Sequence, residues 1–170
     1  LYNTYSFFAL YANVDGFTGK EPEIPVAKRP EIDRWIISLL NTLVRDVTRW
    51  LDDYDPTPAA RAIQDFVGEN LSNWYVRLNR KRFWGGGMSD DKLAAYQTLY
   101  TCLETVSMLA APFAPFITDR IFCDLNAVSG RHTETSVHLS LFPEADGGLI
   151  DTELEQTMDI AQRVSSMVLA

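Results

Sequence analysis

The sequence predicts an all-α fold, an antiparallel bundle of about five long helices. Three observations lead there. Apolar residues recur at steps of three and four along most of the 170 positions, the spacing that lines one face of a helix. Prolines and glycines gather between those runs, where they turn the chain. Alternation, the mark of a half-buried strand, is confined to the five residues Val137 to Leu141.

The elements follow in order. Leu1, Tyr5, Phe8 and Ala12 share a face, and Asp15-Gly16 ends that helix. Gly19, Pro22, Pro25 and Pro30 mark an extended connection. Glu31 to Tyr54 is the clearest helix, with Ile32, Trp35, Ile36, Leu39, Leu40, Leu43, Val44 and Val47 in its stripe. Asp33, Arg34, Arg45 and Asp46 are expected on its other faces. Asp55-Pro56-Thr57-Pro58 turns the chain and starts the next helix, since proline suits a first turn. That helix runs from Ala59 to about Phe83, with Ile63, Phe66, Val67, Leu71, Trp74 and Leu78 as its apolar stripe. Trp74 is therefore expected buried and Trp84, past the stripe, exposed. Asn70, Asn73, Arg77, Arg80 and Lys81 share the polar face.

Ser89 is a candidate N-cap for a helix over Asp90 to Ala111, which Pro112 and Pro115 stop or kink. A shorter helix covers Phe116 to Val128. Residues 129–150 read as a loop-rich connection, in which Val137 to Leu141 forms a short strand or an extended cover strip. A last helix runs from Asp151 to Ala170. Residues 1–170 fit one domain, large enough to bury about 70% of its unfolded surface.

Composition narrows the function. Hydrophobic residues make up 46% and charged residues 22%, the balance of a globular protein. No run of 18 apolar residues exists, so no membrane partner is expected. Leu1-Tyr2-Asn3-Thr4 opens inside a helical pattern without a Met or a signal-like core, as expected of a piece of a longer protein. Cys102 and Cys123 stand 21 positions apart, neither a disulfide framework nor a metal spacing. Two reduced thiols in a cytoplasmic, monomeric protein are the expectation. His132 and His138 lack partners at ligand spacing, and Gly85-Gly86-Gly87 lacks the lysine of a P-loop. No active site and no cofactor are expected within these residues.

One stretch stands out. The net charge is −8, from 23 acids and 15 bases, yet four of those bases fall within Arg77 to Arg82. Trp74 and Trp84 bracket them. Cations beside an exposed ring are what single-stranded RNA requires, phosphates taking the charge and unstacked bases the ring. A helix whose last turn carries cations to suit its dipole has the same composition. The strongly acidic remainder argues against a duplex-coating protein and leaves room for a focused RNA contact.

The motifs resemble a family. Asp33-Arg34-Trp35-Ile36 through Asn41 is similar to a segment of the class I aminoacyl-tRNA synthetases that charge aliphatic amino acids. Asn73 through Trp84 resembles a run of the isoleucyl branch, as does Ser136-Val137-His138-Leu139 with Phe142-Pro143. Leu109 to Phe116 looks like the family's proline corner. The resemblance implies the helical anticodon-binding domain of a longer ligase. Its partner would be the anticodon stem-loop of an isoleucine-accepting tRNA. The parent would attach isoleucine using ATP and edit mischarged tRNA, with ATP, Mg2+ and any zinc held outside this fragment. Asn3, Asn73, Arg77, Asn79, Arg80, Lys81, Arg82 and Trp84 are the expected tRNA-binding residues. Asn3 and Trp84 match family positions that face the anticodon, and four free cations imply a salt slope near −3. A valyl or leucyl anticodon module, or a helical scaffold that binds protein, are the alternatives.

Overall fold

The computed structural model describes residues 1–169. It is all-α, with no strand among the described residues, and its helices are α1 (Tyr2–Asp15), α2 (Glu31–Asp52), α3 (Pro56–Asp65), α4 (Arg77–Trp84), α5 (Asp90–Ala110), α6 (Pro115–Ser129) and α7 (Thr152–Leu169). A π-helical stretch, Phe66–Val76, joins α3 to α4, so Pro56 to Trp84 forms one continuous rod. The local signals work as chemistry requires. Pro56 and Pro115 open their helices at the first turn, Ser89 Oγ accepts the Lys92 N–H at 3.2 Å, and Gly16 ends α1 in the left-handed conformation at φ 71°.

The core forms where α2, the α3–α4 rod and α5 meet, with α1, α6 and α7 packed around them. α5 is buried almost all round, from Ala94 to Ala110, and therefore lacks the strong one-sided stripe of α2. α1 runs in the same direction as the α3–α4 rod. Leu1 lines one surface cavity with Val67 and Gly68, Phe7 meets Phe83 edge-on at 5.2 Å, and Asp15 reaches Lys92 at the far end. The connection between α1 and α2 is strapped to α5. Phe17 stacks on Tyr96 with centroids 5.0 Å apart, Gln97 holds Ile24 N–H and Pro22 C=O, and buried Arg29 donates to Ile24 C=O and Thr98 Oγ1. α7 docks on α2 through Leu154 and through Glu155, which accepts from Ser38 and Thr42.

Two expectations change. Val137–Leu139 is a 3-10 turn, not a strand. Asp119 accepts from both Ser136 Oγ and Val137 N–H, so the segment is tied to a helix and has no strand to pair with. Asp33, expected on a solvent face, is 0% exposed. Its intervals to Ile36, Ile37 and Leu40 are those of the buried stripe.

Candidate nucleic-acid interface

The interface is shaped by a change of helical pitch. A π turn holds more residues than an α turn, so every residue after Phe66 is rotated relative to a simple three-and-four count. Tyr75 and Phe83 point inward, 0% and 1% exposed, where the α count had put Trp74 and Leu78. Leu78 is 56% exposed, and Trp74 is half-buried at the edge of the core.

The rotation divides the expected RNA residues into two sets. Asn79, expected on the polar face, is 4% exposed. Its Nδ2 donates to Tyr75 C=O at 2.7 Å and its Oδ1 accepts from Arg82 at 3.0 Å. Arg82 is turned the same way. Its two terminal nitrogens donate to both carboxylate oxygens of Asp33 at 2.7 and 2.8 Å, and it also meets Asp91. Tyr75 Oη donates to Asp33 as well, at 2.7 Å. Burial alone would lower the Arg82 pKa; the bonds and charge of Asp33 outweigh that and raise it, so the guanidinium stays charged. The expectation that Asn79 and Arg82 face solvent is thus corrected: a wholly buried carboxylate needs a bidentate partner.

The other set stays outside. Arg77, Arg80, Lys81 and Trp84 are all exposed, Trp84 by 57%. Their spacing of three, four and seven residues from Arg77 keeps them on one face of α4. Among the described residues none of the three cations makes an ion pair. Asn73, one turn earlier, is exposed and donates to Glu69 at 3.3 Å. Asn3 is exposed on α1 one turn before Phe7, the residue that packs on α4. A row of free cations ending in an open indole can hold phosphates and stack a base.

Sequence reasoning missed the supports behind this face. Lys92 is 2% exposed. Its ammonium bridges Asp15 Oδ2 and Gly85 C=O, each at 2.6 Å, joining the ends of α1, α4 and α5. Tyr96 also donates to Asp15. A lysine at the third position of an amphipathic helix carries no signal that it will be buried; only the neighbours decide it. Asp33 did carry one, its place in the α2 stripe. His132 serves the fold, its ring nitrogen against Glu104 at 2.9 Å. No three His, Cys, Asp or Glu side chains cluster as a metal site among the described residues, and no helix there is long and apolar enough to cross a membrane.

Comparison with known proteins bears on what this face meets. The model of a family described as the anticodon-binding domain of tRNA ligase matches residues 33–170. The chain is similar over all 170 residues to the isoleucine–tRNA ligases of Bacteroides fragilis, at 65% identity, and Bacteroides thetaiotaomicron, at 62%. The corresponding ligase of Dehalococcoides mccartyi is 52% identical over 98% of the chain. The chain spans 15% of the length of the two Bacteroides relatives and 16% of the third.

Proposed function

The chain belongs to the anticodon-binding domain family of tRNA ligases, and from that premise we propose that its α4 face binds the anticodon stem-loop of an isoleucine-accepting tRNA. One observation carries the reading. Arg77, Arg80 and Lys81 are exposed, make no ion pair among the described residues and lead to an exposed Trp84, on a chain whose net charge is −8. Free cations concentrated on one face of an acidic protein favour a local polyanion contact over a diffuse one. Asn73, one turn before the row, and Asn3, exposed on the neighbouring α1, offer amide groups to base edges. Asn79 and Arg82 act from behind, holding the helix to Asp33.

The parent would be an isoleucine–tRNA ligase of the cytoplasm that joins isoleucine to its tRNA with ATP and removes mischarged products. ATP, Mg2+ and any zinc would be held in parts of the parent outside these residues, and this domain would contribute tRNA selection.

Titrating the full-length protein with anticodon stem-loops of isoleucine, valine and leucine tRNAs tests the reading. The isoleucine stem-loop is expected to bind tightest, and Trp84→Ala to weaken it by about 1–3 kcal/mol without changing the fold. Preference for the valine or leucine stem-loop would reassign the ligase. Absence of binding to all three would leave the face to a protein partner.

A further inference from the structure

Gly85 and Gly86 have no reason inside the fold to be glycine. Gly85 has φ −64° and ψ 149°, open to any residue. Gly86 also lies outside the left-handed region, and a Cβ on either would meet no atom within 4 Å. Gly87 differs, since its φ of 77° favours glycine by itself.

The peptide joining Gly85 and Gly86 is nonetheless held firmly. Its carbonyl accepts from the buried Lys92 ammonium at 2.6 Å, and Lys92 is anchored in turn by Asp15. In a trans peptide the carbonyl and the following N–H point in opposite directions. The Gly86 N–H therefore points away from Lys92, and it gives no hydrogen bond among the described residues. No backbone N–H caps the last turn of α4 either, so its final carbonyls are open acceptors. A bare stretch of backbone with an unpaired donor thus directly follows an exposed indole and two cations, Arg80 and Lys81, that make no ion pair among the described residues.

The geometry points to Gly85 and Gly86 as a backbone seat for the unstacked nucleotide whose base lies on Trp84. The Gly86 N–H donates to an oxygen of that nucleotide, and the absent side chains leave the space it occupies. This inference rests on the RNA-binding reading of α4 and assigns the contact that positions one nucleotide there.

The test uses Gly85→Ala and Gly86→Ala in the full-length protein, with the isoleucine anticodon stem-loop as probe. Both alanines fit the free backbone, so Tm should stay or rise slightly. Stem-loop binding should weaken about fivefold or more, because the added methyl enters the nucleotide's space and lifts it from the Gly86 N–H, at the cost of roughly one hydrogen bond, with an unchanged salt dependence because no charge is removed. Each alanine combined with Trp84→Ala should cost less than the product of the two separate losses, since both act on one nucleotide. Unaltered binding in both glycine variants while Trp84→Ala weakens it would overturn this seat and leave the RNA reading standing. Fully multiplicative losses would also overturn it, as would a fall in Tm, which would return the glycines to the fold. Absence of RNA binding by the unmodified protein would sink both proposals together.

Discussion

Arg80 and Arg82 lie two positions apart on α4 and do opposite work. Arg82 is clamped in the bidentate pair with Asp33, while Arg80 has no ion-pair partner among the described residues. Replacing Arg82 by alanine leaves Asp33 buried without its counterion, which should cost about 3 kcal/mol of stability, read as a shift in the urea midpoint. The same change should leave the slope of log affinity against log salt unaltered, because the Arg82 guanidinium is already engaged by Asp33 and Asp91. Arg80→Ala should do the reverse, holding the urea midpoint and flattening that slope by about 0.7. A flattened slope in the Arg82 variant would put that guanidinium back at the RNA. Cys102 and Cys123 differ in a similar way. Burial pushes the pKa of the Cys102 thiol well up, and it is 0% exposed, so it should react with a thiol reagent only on unfolding.

At the scale of the element, the π-helical stretch decides which side of α4 faces outward. Its extra residues per turn bring Tyr75 beneath Asp33 and turn Leu78 out. Deleting Glu69, an exposed residue within it, should rotate everything downstream by about 100°. Tyr75 and Arg82 would then leave Asp33, and stability and stem-loop affinity should fall together. A deletion variant with the original urea midpoint would mean that the rod tolerates either register and that the pitch change is incidental. The connection 16–30 behaves differently. It has little regular structure, yet Gln97 and Arg29 bind its backbone at several points, so it caps the core instead of hanging from it.

At the scale of the whole molecule, charge and acid response follow from where the cations sit. Only Arg77, Arg80 and Lys81 remain free on α4, so the expected salt slope for RNA is about −2, not the −3 that four free cations would give. Folding stability should depend on a few carboxylates. For Asp15, burial alone would raise the pKa, but hydrogen bonds from Lys92 and Tyr96 outweigh it and lower it below the ordinary 3.8. Asp119 is lowered too, chiefly by the hydrogen bond from Ser136. A carboxylate with a depressed folded pKa adds stability above its unfolded value and loses it as pH falls through the folded one. The urea midpoint should therefore drop as pH falls below about 4, and Asp15→Asn should make that drop shallower.

Much of the protein was written in local pattern. The periodic stripes, the proline corners and the Ser89 cap determined the helices and their ends, because spacing and capping act within a few residues. The concentration of cations between Trp74 and Trp84 was legible in the sequence, and Trp84 past the stripe is exposed as the spacing required. Tertiary structure decided which members of the cluster stay free. Asp33 is buried at the start of α2, and it draws in Tyr75 and Arg82 from more than forty residues away, with Asn79 supporting Arg82. Meeting those bonds goes with a change of pitch that no count of threes and fours contains. A buried carboxylate outside water gains far more from a paired guanidinium than an exposed face loses by giving one up, so Arg82 goes inward and Arg77, Arg80 and Lys81 stay exposed on the outer face.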